Sequence, residues 1–206
     1  ANSTVTAGEG DDSVTINSSG NVNGTGDGGD DTFTINGNGG HTIDMGDGDD
    51  ILGINGDGTH NLTLGNGNDT LTIDGSRNTA GNADNGATDG YTVINAGDGN
   101  DTVSISEEHF LKADLGAGDD HLSLRAKDLS ADDIVAGGAG NDTLTLTNET
   151  QRVQDGRVLA SETSRTTGFE TYDLRDSNIT LTVTDEMIET AEGMDFTVST
   201  LNSNQT

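Results

Sequence analysis

Gly46-Asp47-Gly48-Asp49-Asp50-Ile51-Leu52-Gly53-Ile54 is followed, 19 residues on, by Gly65-Asn66-Gly67-Asn68-Asp69-Thr70-Leu71-Thr72-Ile73. Both stretches carry two glycines one residue apart, then an aspartate, then apolar residues at the second and fourth positions after it. Further turns of this kind close at Asp12, Asp31, Asp101, Asp120 and Asp142, so the aspartates recur after 19, 19, 19, 32, 19 and 22 residues. Their glycines are Gly8 and Gly10, Gly29 (Asp27 stands in the first glycine's place), Gly97 and Gly99, Gly116 and Gly118, and Gly138 and Gly140. Self-similarity at a fixed period is the mark of a solenoid, in which each repeat buries its apolar face only against its neighbours.

The register predicts how a coil is built. Two residues after each aspartate stand Val14, Phe33, Leu52, Leu71, Val103, Leu122 and Leu144, and four after it Ile16, Ile35, Ile54, Ile73, Ile105, Leu124 and Leu146. A period of two is that of a strand with one apolar face. A weaker pair of columns precedes the turn: Val5, Gly24, Ile43, Leu62, Ile94, Ala113 and Val135, then Ala7, Gly26, Met45, Leu64, Ala96, Leu115 and Gly137. Two strands and two turns per repeat make an all-β, flattened, right-handed parallel β-helix of the β-roll kind. Residues 1–146 would form it, with a 13-residue insertion near 75–90 bulging from the corner that has no regular aspartate.

Composition fits a thin, repetitive core. Of 206 residues 29% are hydrophobic and 3% aromatic, with 31 glycines, no proline and no cysteine. Thirty-seven acidic residues against eight basic ones give a formal charge of −29, which leaves no basic strip for nucleic acid or an anionic membrane and makes divalent cations the natural counter-charge. No apolar run is long enough for membrane insertion. The first residue is Ala1, not Met, so the chain is expected to be a piece of something longer.

The turn Gly-x-Gly-x-Asp followed by an apolar strand resembles the calcium-binding nonapeptide of the repeats-in-toxin (RTX) family over about residues 5–146. With one such turn per 19 residues, the chain is similar to the extender and ice-binding regions of giant bacterial adhesins and to surface-layer proteins. The resemblance implies one row of about six inter-coil Ca²⁺ ions, held by Asp12, Asp31, Asp50, Asp69, Asp101, Asp120 and Asp142 together with carbonyls of the turn glycines named above. It also implies type I secretion in an unfolded state, folding outside the cell on Ca²⁺, and a structural or extender role at the cell surface beside neighbouring domains or copies of the same protein. An accessory folding module of a secreted enzyme is the alternative. Calcium suits the donors, since it takes six to eight oxygen ligands at about 2.3–2.6 Å in a tolerant geometry. A metal-free solenoid would stack carboxylates coil upon coil without a counter-ion.

The residues just before the key aspartates are Asp11, Asp30, Asp49, Asn68, Asn100, Asp119 and Asn141; an amide replaces the acid so often that they read as turn-formers or outward groups. Outward Thr and Ser (Ser13/Thr15, Thr32/Thr34, Thr70/Thr72, Thr102/Ser104, Thr143/Thr145) resemble an ice-binding ladder, interrupted by Ile51/Gly53 and His121/Ser123. His41 and His60, 19 apart, should stack near the other corner. Glu107-Glu108-His109 has no nucleophile to serve, and no catalytic site is expected. After Leu146 the register disappears. Residues 147–206 read as a polar excursion, then a β-rich cap with strands at 169–174 and 179–183 and a short helix near 185–191; whether Phe196-Thr197-Val198 starts another coil is left open.

Overall fold

The computed structural model describes residues 2–17, 19–75, 91–106, 110–126, 128–129, 132–147, 166–175 and 197–200. They form an all-β solenoid of two parallel sheets, and successive strands alternate between the sheets as far as Thr171–Leu174. The first sheet has eight strands: Ser3–Glu9, Val22–Gly28, Thr42–Asp47, Asn61–Asn66, Tyr91–Asp98, Phe110–Ala117, Ile134–Ala136 and Thr166–Thr167. The second has nine: Ser13–Ile16, Thr32–Asn36, Ile51–Asn55, Thr70–Ile73, Thr102–Ile105, His121–Arg125, Thr143–Thr147, Thr171–Leu174 and Thr197–Thr200.

Strand pairing reproduces the sequence columns. Val14, Phe33, Leu52, Leu71, Val103, Leu122 and Leu144 stand opposite one another along the second sheet. Val5, Gly24, Ile43, Leu62, Ile94, Ala113 and Val135 do so along the first. From Ile43 onward these side chains are buried between the sheets, as are Met45, Leu64, Ala96 and Leu115. The two poorest positions have local reasons. A Cβ on Gly24 would lie 3.1 Å from the ring of Phe33, so the missing side chain makes room for the largest core residue of that region. A Cβ on Gly26 would meet Met45 O at 2.2 Å and Asp31 Oδ2 at 2.4 Å, so this glycine makes room for polar groups.

The register lost at Leu146 resumes further on. Thr166–Thr167 extends the first sheet beyond Ile134–Ala136, and Thr171–Leu174 extends the second beyond Thr143–Thr147, pairing Leu144 with Tyr172 and Leu146 with Leu174. Thr197–Thr200 adds a further parallel strand to the second sheet, while Phe196 itself lies outside the described residues. Phe169 and Tyr172 are buried and meet edge to face at 6.0 Å, closing the thin core here with aromatic volume. The insertion at 76–90, the strand expected at 179–183 and the helix expected at 185–191 lie outside the described residues. No helix among the described residues is long and apolar enough to cross a membrane.

Candidate metal centre

Each turn glycine named from the sequence has positive φ, between 102° at Gly116 and 146° at Gly140, and Asp27 adopts φ 79° where it replaces a glycine. At Gly48 both conformation and space demand the residue: φ is 139°, and a Cβ would lie 2.2 Å from Gly29 O. Without side chains, consecutive turns approach backbone to backbone, and this packs the aspartates that follow into a column.

That column is a hydrogen-bonded ladder. The N–H of Asp12 donates to Asp31 Oδ1, Asp31 to Asp50, Asp50 to Asp69, Asp69 to Asp101, Asp101 to Asp120 and Asp120 to Asp142, at 2.7 to 2.9 Å. Asp12 is half-buried, whereas the other six are 0 to 1% exposed. In each of these six the second oxygen, Oδ2, is buried and accepts no hydrogen bond. A buried carboxylate oxygen without a partner is costly. Here the cost recurs coil after coil, and like charges face one another along the column.

The protonation equilibria register this strain. Burial pushes Asp69 and Asp120 up to about 7 and Asp50 and Asp142 up to about 6; the backbone N–H bond works in the opposite direction, and neighbouring carboxylates add to the rise. Asp101 is also raised, again by burial first. A cation beside the Oδ2 atoms would reverse this logic by favouring the ionised form.

The oxygens present fit a hard cation. Among the described residues no three His, Asp or Glu side chains gather into a metal cluster, so an ion between two coils would take one or two carboxylates and complete its shell with backbone carbonyls and water. Carbonyls are at hand. Met45 O and Asp31 Oδ2 converge over the Cα of Gly26, and Gly48 O points at the Cα of Gly67, 2.1 Å from where a Cβ would be.

The residue before each aspartate forms a second, exposed ladder of opposite direction. Asp11 Oδ1 accepts from the N–H of Asp30, Asp30 from Asp49, Asp49 from Asn68, Asn68 from Asn100, Asn100 from Asp119 and Asp119 from Asn141, at 2.7 to 3.1 Å. Only an oxygen acceptor is needed, which explains why Asn and Asp alternate here while the inner column keeps its acid.

The opposite corner holds a column of which the sequence showed only the stacked pair His41 and His60. His41 Nδ1 accepts from the N–H of Val22, His60 Nδ1 from His41, Thr92 Oγ1 from His60, and Asp133 Oδ1 from Leu111. The slot is the same, but three chemistries fill it, an imidazole twice, a hydroxyl and a carboxylate, so only histidine repeats, and the 19-residue spacing of the two histidines was the one available signal. Their rings stack at 4.9 Å and 11°. A backbone N–H can only donate, so Nδ1 is unprotonated and the ring proton sits on Nε2, which makes the pair a structural ladder and not a metal clamp. Burial holds His41 below the usual imidazole pKa, against a backbone hydrogen bond with Gly37.

A second omission is Glu170, whose Oε2 accepts from the N–H of Asp142 at 2.7 Å and so occupies the next rung of the aspartate column. The signal was Tyr172 and Leu174, two and four residues after it. Of the remaining candidates, the outward hydroxyl rows are broken by half-exposed Ile51 and by Thr145, which is buried and bonded to His121 Nε2 at 2.8 Å. Glu107, Glu108 and His109 lie outside the described residues. Comparison with protein-family models, curated proteins and solved structures gives no match.

Proposed function

We propose that the chain is a calcium-dependent structural module, an extender within a large secreted bacterial adhesin or surface-layer protein, which folds outside the cell as Ca²⁺ binds between its coils. The observation that carries this reading is the row of six buried carboxylate oxygens without partners, at Asp31, Asp50, Asp69, Asp101, Asp120 and Asp142. A divalent cation between successive coils would give each of them a partner and neutralise the column. The ligands come together only when coils stack, so binding and folding are one equilibrium.

The scaffold role is supported by what the solenoid offers. Its length is built from repeated coils with a regular acidic edge, and binding of an anionic polymer is disfavoured by the charge of −29. Far-ultraviolet circular dichroism during a Ca²⁺ titration of metal-free protein tests the reading. Strand signal should rise cooperatively at millimolar Ca²⁺ and much less with Mg²⁺, which demands six close ligands in octahedral geometry. Unchanged strand content on full removal of metal would refute it.

A further inference from the structure

We propose that Glu170 is the terminal ligand of the cation column and holds a calcium site that clamps the irregular coil at 166–175 onto the repeat block; this rests on the calcium reading above. The backbone on either side is fixed by pairing. Val135 and Ala136 pair with Thr166 and Thr167, the N–H of Gly137 donates to Thr167 O, and Thr143 pairs with Thr171. Between these points the repeat turn runs from Gly137 to Asp142, but the next coil has only Gly168, Phe169 and Glu170. The turn is three residues shorter, and both turn glycines that bracket the site elsewhere are gone. A rung set back in this way needs a longer side chain, and glutamate, one methylene longer than aspartate, reaches the N–H of Asp142.

The site keeps part of the interior arrangement. Asp142 is fully buried, and its Oδ2 accepts no hydrogen bond. That oxygen is 2.8 Å from where a Cβ of Gly137 would be, and Gly168 O is 2.2 Å from the same point. At Gly26 the matching pair is Asp31 Oδ2 and Met45 O. Gly168 O therefore stands where a strand carbonyl stands in the repeats, and Glu170, itself 6% exposed, supplies the second carboxylate. Two buried carboxylates and a carbonyl thus meet at the joint between regular and irregular coils, where aromatic packing by Phe169 and Tyr172 replaces the aliphatic columns.

The test measures bound calcium by equilibrium dialysis and amide hydrogen exchange by mass spectrometry, on the whole chain and on Glu170→Gln and Glu170→Asp. Glutamine keeps the acceptor but not the charge; aspartate keeps the charge but not the reach. Both should bind about one calcium ion fewer and lose at least tenfold of the calcium-dependent protection at 171–174, while the strands at 32–36 and 51–55 keep theirs. Retention of both the ion count and the protection at 171–174 in Glu170→Gln overturns the terminal site while leaving the interior sites standing. Loss of protection with an unchanged ion count also overturns it, since Glu170 then acts through its hydrogen bond alone. A parent chain that binds no calcium removes this site and the proposed function together.

Discussion

Raising the pH of the metal-free protein should destabilise it, and calcium should invert that dependence. Asp69 and Asp120 are held near 7 in the fold against an ordinary value of 3.8, and burial is the main cause. Their folded-state pKa is raised, so the stability linked to their protons is complete below about pH 4 and is lost as pH rises through about 7. Between roughly pH 5 and 6.5 each keeps a proton in the fold that it gives up on unfolding. Two such protons change the folding equilibrium by up to about a hundredfold per pH unit. Asp50 and Asp142, near 6, add to the slope at its acidic end. Neighbouring rungs titrate together, which spreads the transition without changing its sign. With millimolar Ca²⁺ the ions compete with those protons, so affinity and stability should rise from about pH 5.5 to 8. The assay is urea unfolding followed by circular dichroism, at about pH 5.5, 6.5 and 8, on resin-stripped protein with and without Ca²⁺. A chain that is unfolded at pH 8 without metal and regains strand signal on acidification meets the expectation. Metal-free stability that is flat or rises with pH, or calcium stabilisation that is equal at pH 5.5 and 8, would refute the reasoning.

Asp69→Asn keeps an acceptor for the N–H of Asp50 while removing the buried charge; it should stabilise the metal-free form near pH 8 and raise the calcium midpoint for folding several-fold, both read by circular dichroism. Gly67→Ala sets a Cβ 2.1 Å from Gly48 O at φ 131° and should cost about 1–3 kcal/mol or more in calcium-saturated melts. Gly53→Ala, whose Cβ meets nothing closer than 3.9 Å, should change the same melt by less than about 0.5 kcal/mol. Leu71→Ala empties a fully buried core position and should cost about 2–5 kcal/mol in urea unfolding with calcium present. His41 has a lowered pKa, so its contribution is intact above about 6.5 and is lost as pH falls below that value; His41→Leu should weaken the acid sensitivity of the calcium-bound melt.

The sequence carried the architecture because Asp50, Leu52 and Ile54 and their equivalents repeat both a residue type and a spacing, so strand, face and coil length follow together. It carried the inner column for the same reason. The opposite corner was legible only in the spacing of His41 and His60: Thr92 and Asp133 perform the same task, accepting a backbone N–H, with side chains that share no composition with the histidines. Glu170 was hidden by geometry, since a turn shortened by three residues moves the rung along the chain and lengthens the side chain that must fill it. Asp142 looked like the last member of a series because the next member no longer had the same chemical form.

The two ladders at the acidic edge run in opposite directions, and this gives each coil the character of a plug and socket. On the face toward the next coil, a coil offers a donor from the inner column, as with the N–H of Asp50, and an acceptor from the outer one, as with Asp49 Oδ1. The arriving coil brings the complement of each, Asp69 Oδ1 and the N–H of Asn68. A coil presented upside down would set donor against donor and carboxylate against carboxylate. The edge therefore rejects inverted stacking, and the solenoid can lengthen in one sense only, head to tail, with polarity written into its backbone before any ion arrives.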